Sequence, residues 1–393
     1  MLIENEENCQ FGTKLIHAKT GIEGHYGAVN VPIYQVSTFN QEAEGNNGKY
    51  DYSRSGNPTR EALENTIAQL ENGAAGFAFS SGMAAISSVL CLFESGDEII
   101  VSHDIYGGTY RVLTQLFSRF GIKVIFVDTT NIEEVKGAIT AHTKGIYLES
   151  PSNPFLHITD IKKVATLAED HQLLTIVDNT FMTPYLQRPI DLGAHIVIHS
   201  ATKYLGGHSD VVAGLVVVSD EQLANEVKFV QNAFGAILGP QDSSLVLRGM
   251  KTLKVRLDQQ QKTALELANW LENHSFVEKV YYPGLIDHPH YPLASEQASG
   301  YGAIISFTLK DEALTSHFLK TVKLASVGVS LGGVESILTH PATMSHASIP
   351  KEVREEKGIT ETLLRISVGL EEGVDLQHDF EQALQTFASS FSV

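Results

Sequence analysis

At 393 residues the chain exceeds one typical domain and suggests two, and its 43% hydrophobic content is ample for packed cores. Its 46 acidic against 28 basic residues give a formal net charge of -18, which argues against nucleic-acid or anionic-membrane binding as the main business. An anionic small molecule remains compatible, because a local cationic pocket can oppose the global sign. Cys9 and Cys91 belong to no CxxC pair, so neither a disulfide scaffold nor a cysteine-ligated zinc site is indicated, and a reducing compartment is expected.

Residues 1–60 are loop-like, rich in Gly, Asn and Tyr, and read as an arm. The acidic start at 1–7 is unlike a basic secretory signal, and no later run reaches the roughly 18 apolar residues of a membrane span, so a cytoplasmic location is expected. From about 61 to 245, apolar runs at 76–79, 98–101, 123–127, 145–148, 174–177, 195–198 and 214–218 alternate with helical patterns. Strands this hydrophobic indicate a mostly parallel sheet covered on both faces, the α/β class. A long helical stretch over 242–273 carries Leu253, Leu257, Leu265, Leu267 and Leu271 at helical spacing and is expected to open a smaller α/β domain at 246–393.

Chemistry concentrates after the run at 195–198, where Ser200, Thr202 and two glycines flank Lys203. A lysine delivered into a partly desolvated pocket has a depressed pKa and acts as an amine nucleophile, as a Schiff-base lysine must. The run at 174–177 leads directly into Asp178. If the two strands are parallel neighbours, roughly 4.7–4.9 Å apart, Asp178 and Lys203 share the crevice at the strand carboxyl ends where ligands of open α/β sheets bind. An aspartate and a lysine on one cofactor suggest pyridoxal 5'-phosphate (PLP): the lysine holds the aldehyde carbon and the carboxylate keeps the pyridine nitrogen protonated. On these two residues alone, an ion pair at the sheet rim is an equal reading. The phosphate needs an anion cradle, and a short strand running through Ser81, Gly82 and Met83 into an Ala-rich helix offers free backbone N–H groups there, with Ser200 and Thr202 as hydroxyl donors.

Eight blocks in order then carry a family resemblance: YSRSGNPTR at 52–60, SSGMAA at 80–85, YGGT at 106–109, ESPSNP at 149–154, VDNT at 177–180, SATKYLGGH at 200–208, SLGGVES at 330–336 and LRISVGLE at 364–371. The chain resembles the Cys/Met-metabolism PLP enzymes, the cystathionine synthases and lyases of PLP fold type I. That resemblance implies a seven-stranded, mostly parallel sheet with helices on both faces, plus a smaller C-terminal domain. It further implies PLP as cofactor, Lys203 as Schiff-base lysine and proton shuttle, Asp178 as partner of the pyridine nitrogen, and Tyr106 stacked on the ring and assisting proton transfer. Tyr52 and Arg54 would bind the phosphate from the arm of an adjacent subunit, in a homotetramer built of dimers with composite sites. Thr180 and Asn153 complete the implied cofactor contacts. Arg365 matches the arginine for the substrate's α-carboxylate, with Ser336 and Asn153 as helpers, and Arg111 is a candidate for a distal carboxylate. Taken singly, Tyr106 with its glycines is also a plain turn, and Arg54 and Arg111 are also solvated surface arginines.

The resemblance implies a small sulfur amino acid as substrate, with no nucleic-acid or membrane partner. Glu335 and Asp51 are candidates to hold a distal ammonium, and on them the expected activity is cystathionine γ-lyase, with γ-synthase and β-lyase as alternatives. A non-catalytic PLP-binding scaffold is the reading from another class. His195, His199 and His208 could tempt a metal assignment, but the lysine supplies a competing chemistry and no metal is expected. The His288 and His290 segment reads as a Pro-containing loop.

Overall fold

All seven apolar runs pair into one sheet. The structure, a computed structural model, describes residues 9–17, 26–41, 48–347 and 349–390, so the acidic start at 1–7 lies outside the described residues. The strands are β1 (Ala75–Phe79), β2 (Glu98–Ser102), β3 (Lys123–Val127), β4 (Thr143–Glu149), β5 (Leu174–Asp178), β6 (Ile196–Ser200) and β7 (Gly214–Val218), in spatial order β1-β7-β6-β5-β4-β2-β3. Pairs from β6 through β3 are parallel, whereas β7 runs antiparallel to both β6 and β1. The reversal has a local cause: the β6–β7 connection contains no crossover helix, which a parallel return normally requires.

Alternation along each strand feeds two separate cores. Ile146 and Leu148 of β4, Val197 of β6 and Leu215 and Val217 of β7 lie in one apolar cluster. Tyr147, Ile196, Ile198, Val216 and Val218 lie in the other. Burial on both faces is why these strands are apolar without interruption. The first cluster continues through Leu257, Phe307 and Phe380 into a second sheet, so the two sheets share one core.

That second sheet has the order β10-β11-β12-β9-β8, with β8 Val277–Tyr281, β9 Ile304–Leu309, β10 Ser326–Val327, β11 Ile337–Thr339 and β12 Leu363–Ser367. The expected helix over 242–273 is two helices, Pro240–Met250 and Leu253–Glu272, and residue 246 falls inside the first. The end of the first helix abuts the turn after Lys203, since a Cβ on Gly249 would lie 2.1 Å from the Gly206 carbonyl oxygen. Leu253, Leu257, Leu267 and Leu271 are buried, but Leu265 is 40% exposed and faces away from the core. Among the described residues no helix is long and apolar enough to cross a membrane.

Candidate active site

Strands β4, β5 and β6 end side by side in Glu149, Asp178 and Ser200. Glu149 is in register with Asp178, and Asp178 with Ile198. The two strand ends are laced together, since the Ser200 amide donates to Thr180 Oγ1 at 2.8 Å and the Asn179 amide to the Ile198 carbonyl at 2.9 Å. Lys203 follows in a turn closed by Gly207 N–H donating to the Lys203 carbonyl at 2.7 Å. Burial, reinforced by the like charge of Arg365, holds the Lys203 ammonium down at about 8. Its Nζ donates to Ser330 Oγ at 2.7 Å and not to Asp178, so the rim ion pair does not form.

Ser330 was not foreseen as a site residue. It sits at a positive φ of 95°, the left-handed side that non-glycine residues avoid. Two residues on, Gly332 at φ 78° lets this segment pass the lysine, since a Cβ there would lie 2.6 Å from the Tyr204 amide nitrogen. The Ser330 carbonyl also accepts from Arg365 Nη2 at 3.2 Å. Arg365, 2% exposed in the middle of β12, donates Nη1 to Asn153 Oδ1 at 2.9 Å and Nη2 to Thr339 Oγ1 at 3.4 Å. These partners are neutral, its Nε has none, and burial lowers the guanidinium to about 10. A buried cation with an unused donor calls for an anionic ligand.

The opposite need appears on the sheet side. Asp178 and Glu149 are buried, and desolvation raises both carboxyls above their ordinary values, Glu149 the more strongly. Asp178 accepts from the Thr180 amide at 3.0 Å and from the Tyr147 hydroxyl at 3.4 Å, with no cationic partner in hydrogen-bond contact. Glu149 accepts the Tyr106 amide at 2.8 Å, fixing the residue that starts the helix Gly107–Arg111. The Tyr106 ring, 41% exposed, lies so close to Gly108 that a Cβ there would come 2.4 Å from its Cε1 and 2.9 Å from Met83 Sδ. Gly108 therefore packs against both the Tyr106 ring and the Met83 side chain. In the Ser81–Met83 turn Ser81 caps the helix Gly82–Leu90 by accepting from the Ala84 amide at 3.0 Å. Gly82 is required there, because a Cβ would lie 2.9 Å from the Ser200 Cβ and Oγ.

Other expected site residues lie elsewhere or are engaged. Thr202 Oγ1 donates to the Ala213 carbonyl and accepts its amide, so its donor is already used. The Ser336 hydroxyl donates to Glu371 and accepts the Gly369 amide, which ties down the chain before β11. Glu335 is exposed and accepts from Ser209 at 3.2 Å, outside the hydrogen bonds that join Lys203, Ser330 and Arg365. Asp51 is exposed and accepts the amide of Tyr52 at 2.6 Å. Arg111 is exposed at a helix end, without an ion pair among the described residues. Arg54 donates to the Asn232 carbonyl at 2.8 Å and rests against the Tyr52 ring at 5.6 Å. Both border a cavity of about 330 Å³ with Gly235 and Ile237. His199 pairs with Glu71 at 2.6 Å, His195 accepts the Thr175 amide and His208 meets the Gly206 carbonyl, so each has a structural bond.

Comparison with known proteins decides among the chemistries this pocket allows. The family described as Cys/Met metabolism PLP-dependent enzyme matches residues 12–385. The chain belongs to that family. A cystathionine beta-lyase of Bacillus subtilis (strain 168) is 54% identical over 384 residues, 98% of each chain. A cystathionine gamma-lyase of the same organism is 52% identical over 373 residues, 95% of this chain and 98% of its own. The solved cystathionine gamma-lyase from Lactobacillus plantarum, complexed with L-serine, superposes with a TM-score of 0.95 at 46% identity, covering 97% of this chain and 100% of its own.

Members of this family are PLP-dependent enzymes, and the pocket fits the cofactor. A phosphate suits the free amides at Gly82 and Met83, a protonated ring nitrogen suits the unpaired Asp178 carboxylate, and an aldehyde suits an amine titrating near 8. Bound there, PLP supplies the electron sink that the side chains lack.

Proposed function

We propose that the protein is a cystathionine lyase whose main reaction is β-elimination, giving homocysteine, pyruvate and ammonia from cystathionine and water. The observation that carries it is the pairing of unmet charges in one pocket. Arg365 is buried and Lys203 half-buried without an anion in contact, Asp178 and Glu149 are buried without a cation, and an amino acid on PLP would bring a carboxylate and a pyridinium to match. In this reading Arg365 would hold the α-carboxylate, with its unused Nε as donor, and so orient the substrate's Cα–H bond. Lys203, its Nζ held by Ser330, takes the Cα proton. Asp178 would hold the ring nitrogen protonated and Tyr106 would stack on the ring, with Glu149 fixing Tyr106 through its amide. The cradle at Ser81–Met83 and Ser200 takes the phosphate, joined by Tyr52 and Arg54 from a second copy in a homotetramer in the cytoplasm.

The choice of β over γ is supported by the 54% identical beta-lyase, while Glu335, on which the γ expectation rests together with Asp51, is exposed and hydrogen-bonded to Ser209. The second reading, γ-elimination to cysteine and 2-oxobutanoate, is favoured by the 52% identical gamma-lyase. Quantifying both oxo acids from cystathionine decides: pyruvate in excess supports the first reading, 2-oxobutanoate in excess the second, and neither product overturns both. A non-catalytic scaffold would have no use for the Lys203–Ser330–Arg365 arrangement.

A further inference from the structure

Behind the arm lies a group of buried charges that the proposed reaction does not use. Arg60, 1% exposed in the first turn of the helix Pro58–Glu71, turns its guanidinium back beneath the segment carrying Tyr52 and Arg54. Its Nη1 donates to the Ser53 carbonyl at 2.7 Å and its Nη2 to the Arg54 carbonyl at 3.1 Å. From the helix Glu221–Phe234, half-buried Lys228 donates Nζ to the Ser55 carbonyl at 2.8 Å. Three consecutive carbonyls are thus taken by two cations, while the Tyr52 carbonyl accepts the amides of Ser55 and Gly56 in a tight turn.

The cations are themselves anchored to β1. Glu64 Oε1 lies 3.5 Å from Arg60 Nε and accepts the Ala78 amide and the Gln231 side-chain amide, both at 2.9 Å. Gln231 in turn accepts from Lys228 at 3.3 Å. With the carbonyls of 53 to 55 drawn inward and that of Tyr52 closed within the turn, the Tyr52 and Arg54 side chains are left on the exposed side, 45% of Tyr52 being open. A loop of this kind ordinarily loses conformational freedom when it captures a ligand, and prior fixation removes that cost.

We infer that Arg60 and Lys228 are positioning residues that pre-set the Tyr52–Arg54 loop for the cofactor phosphate in the adjacent subunit's site. The inference rests on the proposal that the arm acts in trans. Neither residue touches the cofactor; each acts through the backbone of the loop.

The test uses the full-length protein stripped of cofactor and titrated with PLP. Arg60→Met and Lys228→Met should each weaken PLP binding about tenfold, roughly the loss of one charge-assisted hydrogen bond. Both should speed hydrogen exchange at residues 53–56 while leaving β1 protected, and Arg60→Lys should restore part of the affinity. Unchanged affinity overturns the inference, and so does faster exchange throughout β1, which marks a general loss of structure. Subunit mixing separates the two proposals. An Arg54→Ala chain mixed with a Lys203→Ala chain reports on the composite site alone, and no recovery of activity after verified exchange withdraws that reading and the trans assignment with it. Given recovery there, hybrids of Arg60→Met and Lys203→Ala chains should bind PLP with normal affinity at their restored sites, whose arms come from the chain with an intact clamp. Weak binding at those sites would mean that Arg60 acts within its own subunit, contradicting the inference.

Discussion

Replacing Arg365 with methionine should raise the pKa of Lys203 in the cofactor-free protein. Two causes hold that amine at about 8 instead of the ordinary 10.5: burial is the larger and the Arg365 charge the smaller. Arg365→Met removes only the second, so the midpoint should rise above 8 yet stop short of 10.5. At pH 8 a lysine titrating near 8 is half neutral, and one titrating near 10.5 is about a hundredfold less so, which gives the measurement its range. The assay is the rate of acetylation of Lys203, read by peptide mass spectrometry across pH. Arg365→Lys keeps the charge and loses the fork, and should leave the midpoint near the wild-type value. A wild-type midpoint near 10.5, or one that does not move in Arg365→Met while the protein stays folded, would refute the reasoning.

The remaining predictions follow from neighbouring groups. Buried His346, held at about 4 mainly by burial and then by the Arg365 charge, binds fewer protons when folded than when unfolded between the ordinary 6.5 and about 4. Its contribution to stability is therefore complete above 6.5 and falls as the pH drops to about 4, by up to about 3 kcal/mol; urea titrations at both pH values measure this, and His346→Gln should flatten the decline. Glu335→Ala should leave the ratio of pyruvate to 2-oxobutanoate unchanged within about fivefold, since an exposed contact of this kind is worth only about 0–1 kcal/mol; a change of tenfold or more would put Glu335 back among the substrate contacts.

The strands were legible because both faces of the sheet are buried, so each central strand is a run of apolar residues needing no partner information to be seen. β7 is the clearest case, buried along all of Gly214–Val218. The break between Met250 and Leu253 was not legible, since apolar spacing carries on across it, and the packing of Gly249 on Gly206 joins segments far apart in sequence. At the site, Lys203 and Asp178 announced themselves by ending apolar runs. Glu149 also ends one, so β4 carries the same signal. Ser330 gave no such sign: its left-handed backbone and its bond to Lys203 exist only once β12 brings Arg365 beneath it. The bond of Ser336 to Glu371 was likewise not legible, because sequence order cannot tell which partner a hydroxyl finds.

The account turns on Lys203 being the amine that takes the cofactor. Reducing the PLP-loaded protein with borohydride converts a lysine–cofactor bond into a stable linkage, and peptide mapping then names the lysine. The account predicts a pyridoxyl group on Lys203 and on no other lysine, with loss of the visible absorption in Lys203→Ala. Label on a different lysine, or wild-type absorption surviving in Lys203→Ala, would contradict it.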